Sequence, residues 1–407
     1  MSERHRRGDA DRPTVERRAV LATCDRTLRW AREREYAGWD PYDGLNSPVL
    51  PDGHPLVRLL VLHGVGRAPV NLRPLLLIPK ERNPKGIGLF ATAYLDCYVA
   101  TGEPEYLTEA ETLLAWLAAN TAPTSEHPSW GYNFDWQNGR EFYLRAYEPS
   151  TVVSVFCGRP FLEHYRLTGT ERSLETALGV CSFVEEEVNR RRADGFDAYT
   201  YTRSDSFVVV NVNALAASFL AETAAESGEE ALGTRADSVA AFVAAQQVDS
   251  GAWYYSSPPE RSPLTHDNFH TGFVLESLDR YLAVREGDRG VRRALARGVR
   301  FYRENLFEAD GAPRFEHDTP YPRDAHAAAQ AIVTFLGSER RDREMARRVC
   351  RWSLEELLDP QGYFYRYRGR FLDDTTPYMR WSQAWMCRAL SAFVRRTGPL
   401  PTGEADP

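Results

Sequence analysis

Six polar-x-polar pairs recur at one offset along this chain of 407 residues: Asn83-Pro-Lys85, Glu148-Pro-Ser150, Asn211-Val-Asn213, Asn268-Phe-His270, Asp324-Ala-His326 and Arg380-Trp-Ser382. Each opens a run rich in Ala, Leu and other apolar residues. Capping accounts for most of the first members, because Asn, Asp and Ser satisfy the open N–H groups of a helix start. It does not account for a lysine and two histidines one step inside. Histidine titrates near neutrality, so His270 and His326 suit a base and an acid. One such histidine is more often a core residue; two at matching points of adjacent repeats point to a shared site. His266, His270, His326 and their neighbouring carboxylates lack compact ligand spacing, so no metal is expected.

Carboxylates crowd the segments before these runs. Asp135 lies in Ser129-Trp-Gly-Tyr-Asn-Phe-Asp-Trp-Gln137, and Asp40 and Asp43 lie in Gly38-Trp-Asp-Pro-Tyr-Asp-Gly-Leu-Asn-Ser-Pro48. Two carboxylates roughly 5–10 Å apart suffice for glycoside hydrolysis. The catalytic candidates are therefore His270, His326, Asp135, Glu148, Asp267 and Asp324. Aromatic residues fill the same segments, and core packing claims about half of them. Trp39, Trp130, Trp136, Trp253, Tyr255, Tyr365 and Trp381 are candidate sugar platforms. Asp43, Asn46, Asn133, Asn211 and Asn213 are candidate hydrogen-bonding groups, and Lys85, Arg140 and Arg380 are candidate anchors for a carboxylate.

The elements that must position these residues follow from an internal repeat. Turns built on Gly131, Gly195, Gly251, Gly311 and Gly362 recur 51–64 residues apart. An amphipathic helical pattern precedes each glycine, and an aromatic loop with a more apolar helix follows. The first members are expected near 14–36, 104–120, 171–191, 231–247, 289–306 and 340–358. The second members are expected near 86–101, 150–168, 211–226, 268–284, 324–337 and 381–396. Amphipathic helices belong outside and apolar, small-residue helices inside. The expected fold is an all-α (α/α)6 toroid over residues 14–397, with disordered tails at 1–13 and 398–407 and long aromatic loops on one rim.

Composition narrows the function classes. A net charge of −7 argues against a nucleic-acid partner. No window offers the roughly 18 apolar residues of a membrane span, and Met1 is followed by charge without an apolar stretch, so a cytoplasmic protein is expected. Six scattered cysteines without a C-x-x-C read as buried hydrophobes in a reducing compartment. Gln247-Val-Asp-Ser-Gly-Ala-Trp253 fits a turn of triterpene cyclases, but their D-x-D-D acid is missing. No zinc set like that of prenyltransferases or lanthionine cyclases is present, nor any Walker or dinucleotide glycine motif.

The ring, the Gly38–Pro48 segment, Asn83-Pro-Lys-Gly-Ile-Gly-Leu-Phe90 and Ser129-Trp-Gly-Tyr-Asn-Phe-Asp-Trp136 together resemble a known group. This is the six-hairpin-glycosidase-like proteins found with surface-polysaccharide genes and in haloarchaeal N-glycan assembly. The resemblance spans roughly residues 15–397. It implies hydrolase or isomerase activity on a hexuronic acid, with a saccharide or lipid-linked glycan as substrate. It assigns no individual catalytic residue, so the candidates above rest on the repeat. Two readings follow: an acid–base enzyme without cofactor on a uronic-acid-containing saccharide, and a non-catalytic toroid that binds glycan or a partner. A separation of more than about 10 Å between His270 and both His326 and every rim carboxylate would favour the second.

Overall fold

The computed structural model describes residues 16–397 apart from 52, 69, 139–141, 194, 287–288 and 338–341. Both expected tails, 1–13 and 398–407, therefore lie wholly outside the described residues.

Six inner helices form a closed ring: α3 (Pro84–Thr101), α5 (Thr151–Thr168), α7 (Val210–Ser227), α9 (Asn268–Val284), α11 (Ala325–Phe335) and α13 (Trp385–Arg396). Each packs on the next, and α13 returns to α3. Six outer helices surround them: α1 (Arg17–Arg32), α4 (Pro104–Ala119), α6 (Glu171–Ser182), α8 (Glu230–Ala245), α10 (Arg289–Asn305) and α12 (Arg343–Glu356). The architecture is the expected (α/α)6 toroid.

Periodicity decides which helix stands where. In α10 the buried positions are Val291, Ala294, Leu295, Gly298, Phe301 and Tyr302, a single stripe with arginines filling the other face. In α7 every residue from Val210 to Ala224 is buried. Glycine permits the tightest inner contact: a Cβ on Gly88 of α3 would stand 2.5 Å from the Phe156 carbonyl oxygen of α5.

The packed pairs differ from the expected grouping in one respect. An outer helix packs chiefly on the inner helix before it, as α4 on α3, α6 on α5 and α8 on α7. Short returns impose this, each turned by a left-handed glycine at the helix end: Gly102, Gly169 and Gly228, with φ of 77°, 69° and 77°. By the same logic α1 packs on α13 and closes the ring, where Arg17 Nε donates to Val394 O at 2.7 Å.

The outer-to-inner loops gather on one rim and are joined by two-stranded ribbons. Ala37–Gly38 (β1) pairs with Glu81–Arg82 (β2), Trp136–Asn138 (β3) with Phe142–Leu144 (β4), and Arg190–Ala193 (β5) with Phe196–Tyr199 (β6). Val208–Val209 (β7) with Ser256–Ser257 (β8), and Arg323–Asp324 (β9) with Tyr367–Arg368 (β10), tie consecutive loops together. The first loop also carries a helix outside the twelve-helix pattern, α2 (Pro55–Gly66). All six cysteines are buried and unpaired. No described helix is long and apolar enough to cross a membrane.

Candidate functional site

The inner helices begin at the loop rim, and their first turns set the geometry. Asn83 caps α3 by accepting from Gly86 N at 3.3 Å, and Ser150 caps α5 by accepting from Val153 N at 3.4 Å. Asp324 caps α11, accepting from His326 N at 2.7 Å. At α9 the cap is Asp267, which accepts from His270 N at 3.1 Å, while Asn268 is spent on Leu306 O and the Tyr302 hydroxyl. The histidines thus stand in the first turn, His326 two residues and His270 three residues past an acidic cap.

His326 is 2% exposed and sandwiched between Phe269 (4.6 Å, 19°) and Trp385 (4.2 Å, 29°), with the edge of Trp381 at 4.6 Å. Neither ring nitrogen has a hydrogen-bond partner among the described residues. Leaving such a group unpaired costs about 1–3 kcal/mol. Burial, then the charges of Lys85 and Arg380, hold its pKa well below the usual histidine value, so the ring is neutral. His270 differs. Its side chain is 19% exposed, and Nδ1 lies 2.9 Å from Asp267 Oδ2, within ion-pair reach but off the line of a good hydrogen bond. Phe269 (4.1 Å) and Tyr255 (4.6 Å) flank its ring. Phe269 therefore touches both imidazoles. The carboxylate within reach of His270 removes the condition that would have favoured a purely binding role.

Two cations serve this cluster in different ways. Arg380 forms a buried bidentate pair with Asp40, at 2.6 and 2.8 Å, and lies over the Tyr132 ring. Its charge is matched. Lys85 is 2% exposed, and its ammonium sits over Phe156 (4.3 Å), Trp385 (5.3 Å) and Phe273 (5.4 Å). No carboxylate pairs with it among the described residues. Burial and the nearby Arg380 and Arg388 push its pKa well below the lysine range. Around this centre Tyr42 meets Trp381 (5.4 Å) and Trp136 (6.3 Å), and Trp136 meets Tyr201 (6.2 Å). Burial raises the Tyr42 hydroxyl to about 12 and pushes Tyr132, Tyr201 and Tyr255 up as well, so these phenols remain donors. Asp324, whose two oxygens both lie 3.0 Å from Trp381 Nε1, is raised by burial to about 6.

The remaining candidates are placed elsewhere. Asp135 accepts from the Tyr143 hydroxyl and from Ala146 N (2.7 Å), fixing the β3–β4 hairpin. Glu148 takes Arg203 Nε at 3.3 Å on the rim. Trp130 and Trp253 sit in the core, donating to Leu117 O (3.0 Å) and Val243 O (2.8 Å) of the preceding outer helices. Asp43 pairs with Arg73 at 2.6 Å, and Trp39 donates to Ile78 O at 2.9 Å within the first loop. Asn46 and Asn83 both donate to Asn133, binding the first loop to the second. Asn213 holds the Tyr199 backbone, and Tyr365 donates to Asp359 at 2.7 Å. Asn211 is buried with its Oδ1 unpartnered. Arg140 lies outside the described residues. The candidates brought together are thus His270, His326, Asp267, Asp324, Lys85, Arg380, Trp381, Tyr255 and Trp136.

Asp40, Tyr42, Phe269 and Tyr201 join them without having been candidates. Phe269 is the middle residue of Asn268-Phe-His270, and Asp40 and Tyr42 stand in the Gly38–Pro48 segment. Tyr201 carries no comparable sequence signal.

Solved structures share this arrangement of helices. A cellobiose 2-epimerase from Bacillus thermoamylovorans is similar at 12% identity, over 78% of this chain and 88% of that one, with a TM-score of 0.62. A D-mannose isomerase is similar at 11% identity, over 93% and 97%, with a TM-score of 0.61. The shared fold is the (α/α)6 toroid. An unsaturated glucuronyl hydrolase specific for heparin is also similar, at 13% identity over 93% and 96%, with a TM-score of 0.58. No family model and no curated protein matches the chain.

Proposed function

We propose that this protein is a carbohydrate-active enzyme that moves a proton at a sugar carbon beside a carbonyl or carboxylate. Its substrate is a saccharide, free or lipid-linked, that contains a uronic acid and is processed during glycan assembly. One observation carries the reading: a buried, unpartnered neutral His326 shares Phe269 with a carboxylate-backed His270, beside a lysine without a counter-ion. Such unmatched groups destabilise an empty site and are retained where a ligand completes them.

In this reading His270, oriented by Asp267, takes the proton from carbon. The electron pair moves onto the adjoining carbonyl or carboxylate oxygen, where the Lys85 ammonium offsets the charge. His326, kept neutral, donates a hydrogen bond to the sugar oxygen on which charge builds. Return of the proton from His270 to the former carbonyl carbon, with the hydroxyl proton of the first carbon passing to the former carbonyl oxygen, gives isomerisation. Epimerisation takes a proton from solvent on the opposite face, while His270 releases its own to solvent. Arg380, matched by Asp40, holds Tyr132 and Trp381 in place.

Glycoside hydrolysis is the second reading, favoured by Asp324, whose carboxyl is held up to about 6 as a general acid requires. Proton NMR of the protein with reducing disaccharides, with and without a uronic acid, separates the two. The first reading expects a new sugar isomer with the glycosidic bond intact, from the uronic-acid series. Released monosaccharide would support hydrolysis and contradict the first.

A further inference from the structure

A cleft of about 940 Å³ opens on the loop rim, between the β3–β4 hairpin, the 189–207 loop and Arg261. Its lining does not include the histidines, and aromatic rings stand on both sides of the intervening rim. Phe142, on its wall, packs on Trp136 (5.4 Å) and Tyr201 (5.7 Å), while Tyr255 backs His270. This volume encloses a ligand of about two or three sugar rings, since pockets of about 300–1,000 Å³ hold drug-sized molecules.

Its charges are unbalanced in a particular way. The acids on its wall are already satisfied: Glu148 by Arg203 Nε and Ser204 Oγ, at 3.3 and 3.2 Å, and Asp205 by the Thr202 and Phe207 amides, at 2.6 and 2.8 Å. Arg145, Arg191 and Arg261 line the same cleft, are exposed, and carry no side-chain hydrogen bond or ion pair among the described residues. Arg192 and Arg203 do not share this property, since Arg192 meets Asp197 at 3.3 Å and Arg203 meets Glu187 at 3.2 Å. Phe142 and Phe207, edge to face at 5.6 Å, supply an apolar part of the same lining. Aromatic faces suit the carbon side of a sugar ring, and guanidinium forks suit an oxyanion.

We propose that this cleft is a second saccharide subsite, taking an acidic ring (a carboxylate or sulfate ester) of a glycan chain whose reacting unit lies at the histidines. The proposal rests on the saccharide reading above and extends its substrate from a small sugar to an anionic chain of three or more units.

Calorimetric titration tests it without turnover. The protein carrying His270→Ala is titrated with oligogalacturonates of two to six units, with chondroitin sulfate oligosaccharides, and with neutral cello-oligosaccharides. The expected result is a gain of at least tenfold in affinity from two to four units in an anionic series, weakening with added salt, and none in the neutral one. Equal gains in both anionic series assign recognition to oxyanion charge, and a gain with galacturonates alone assigns it to carboxylate geometry. The triple variant Arg145→Ser, Arg191→Ser, Arg261→Ser is expected to lose the gain with length. No gain in either anionic series, or a gain that survives the triple variant, overturns the subsite. Failure of the proton-transfer chemistry is told apart because it leaves this binding result untouched.

Discussion

Lys85 concentrates the tension between stability and function in one side chain. A buried ammonium without a counter-ion weakens the fold, and its depressed pKa records the same penalty. The sign follows from linkage: a lysine whose folded pKa lies below the unfolded value is a cost while it remains charged, and that cost fades as pH rises toward about 10.5. Lys85→Met is therefore expected to raise Tm by about 2–4 °C at pH below the depressed lysine value, with the advantage shrinking as pH rises from there toward about 10.5. The same variant is expected to lose turnover of uronic-acid substrates. Thermal melts across pH with a parallel activity assay check both halves, and a lower Tm at every pH below about 10.5 would contradict the argument. The histidine pair was legible in the sequence because it repeats at one offset. The match between Arg380 and Asp40 was not, because their positions are 340 residues apart and only ring closure joins them. Nor was the placement of Trp130 and Trp253, whose indole N–H groups bind outer-helix carbonyls instead of facing the rim.

At the scale of elements, glycine placement makes a paired prediction. Gly88 lies where α3 meets α5, and an added methyl would be driven into the Phe156 carbonyl. Gly88→Ala is expected to destabilise by about 1–3 kcal/mol despite the better helix propensity of alanine. Gly64 lies within α2 with nothing inside 4 Å of the same position. Gly64→Ala is expected to stabilise by about 0.5–1 kcal/mol. Denaturant titration of both variants measures the contrast. Helix α2 itself shows where sequence reading stops. Its residues Pro55-Leu-Val-Arg-Leu-Leu-Val-Leu are apolar on nearly every side, so no stripe marks a buried face, and Leu60 stays 72% exposed. The start signal was present in His54 followed by Pro55, with the His54 side chain accepting from Leu56 N. Ring helices were legible because their neighbours impose a period. A helix lying on the rim has no such constraint.

Across the whole molecule, the inner ring is cross-linked by buried charge. Glu276 of α9 accepts from Arg388 of α13 and from Gln330 of α11 (2.9 Å), and Arg280 binds Glu222 of α7 at 2.7 Å. The surrounding arginines hold the Glu276 carboxyl far below the ordinary range. Glu276→Gln is expected to cost about 3–5 kcal/mol, since it strands buried guanidinium groups, whereas Glu276→Met with Arg388→Met is expected to restore much of the loss. Equilibrium unfolding of both variants distinguishes a structural lock from a dispensable pair. Above this lock the ring presents the histidines, and whether they move a proton is the central claim. The most direct measurement is solvent deuterium entering a carbon position of a uronic-acid disaccharide in D₂O, followed by NMR. The account predicts wash-in with the wild-type protein and with Asp135→Asn, and none with His270→Ala combined with His326→Ala. Bond cleavage without deuterium on carbon, lost in Asp324→Asn and retained in the histidine variant, would contradict it.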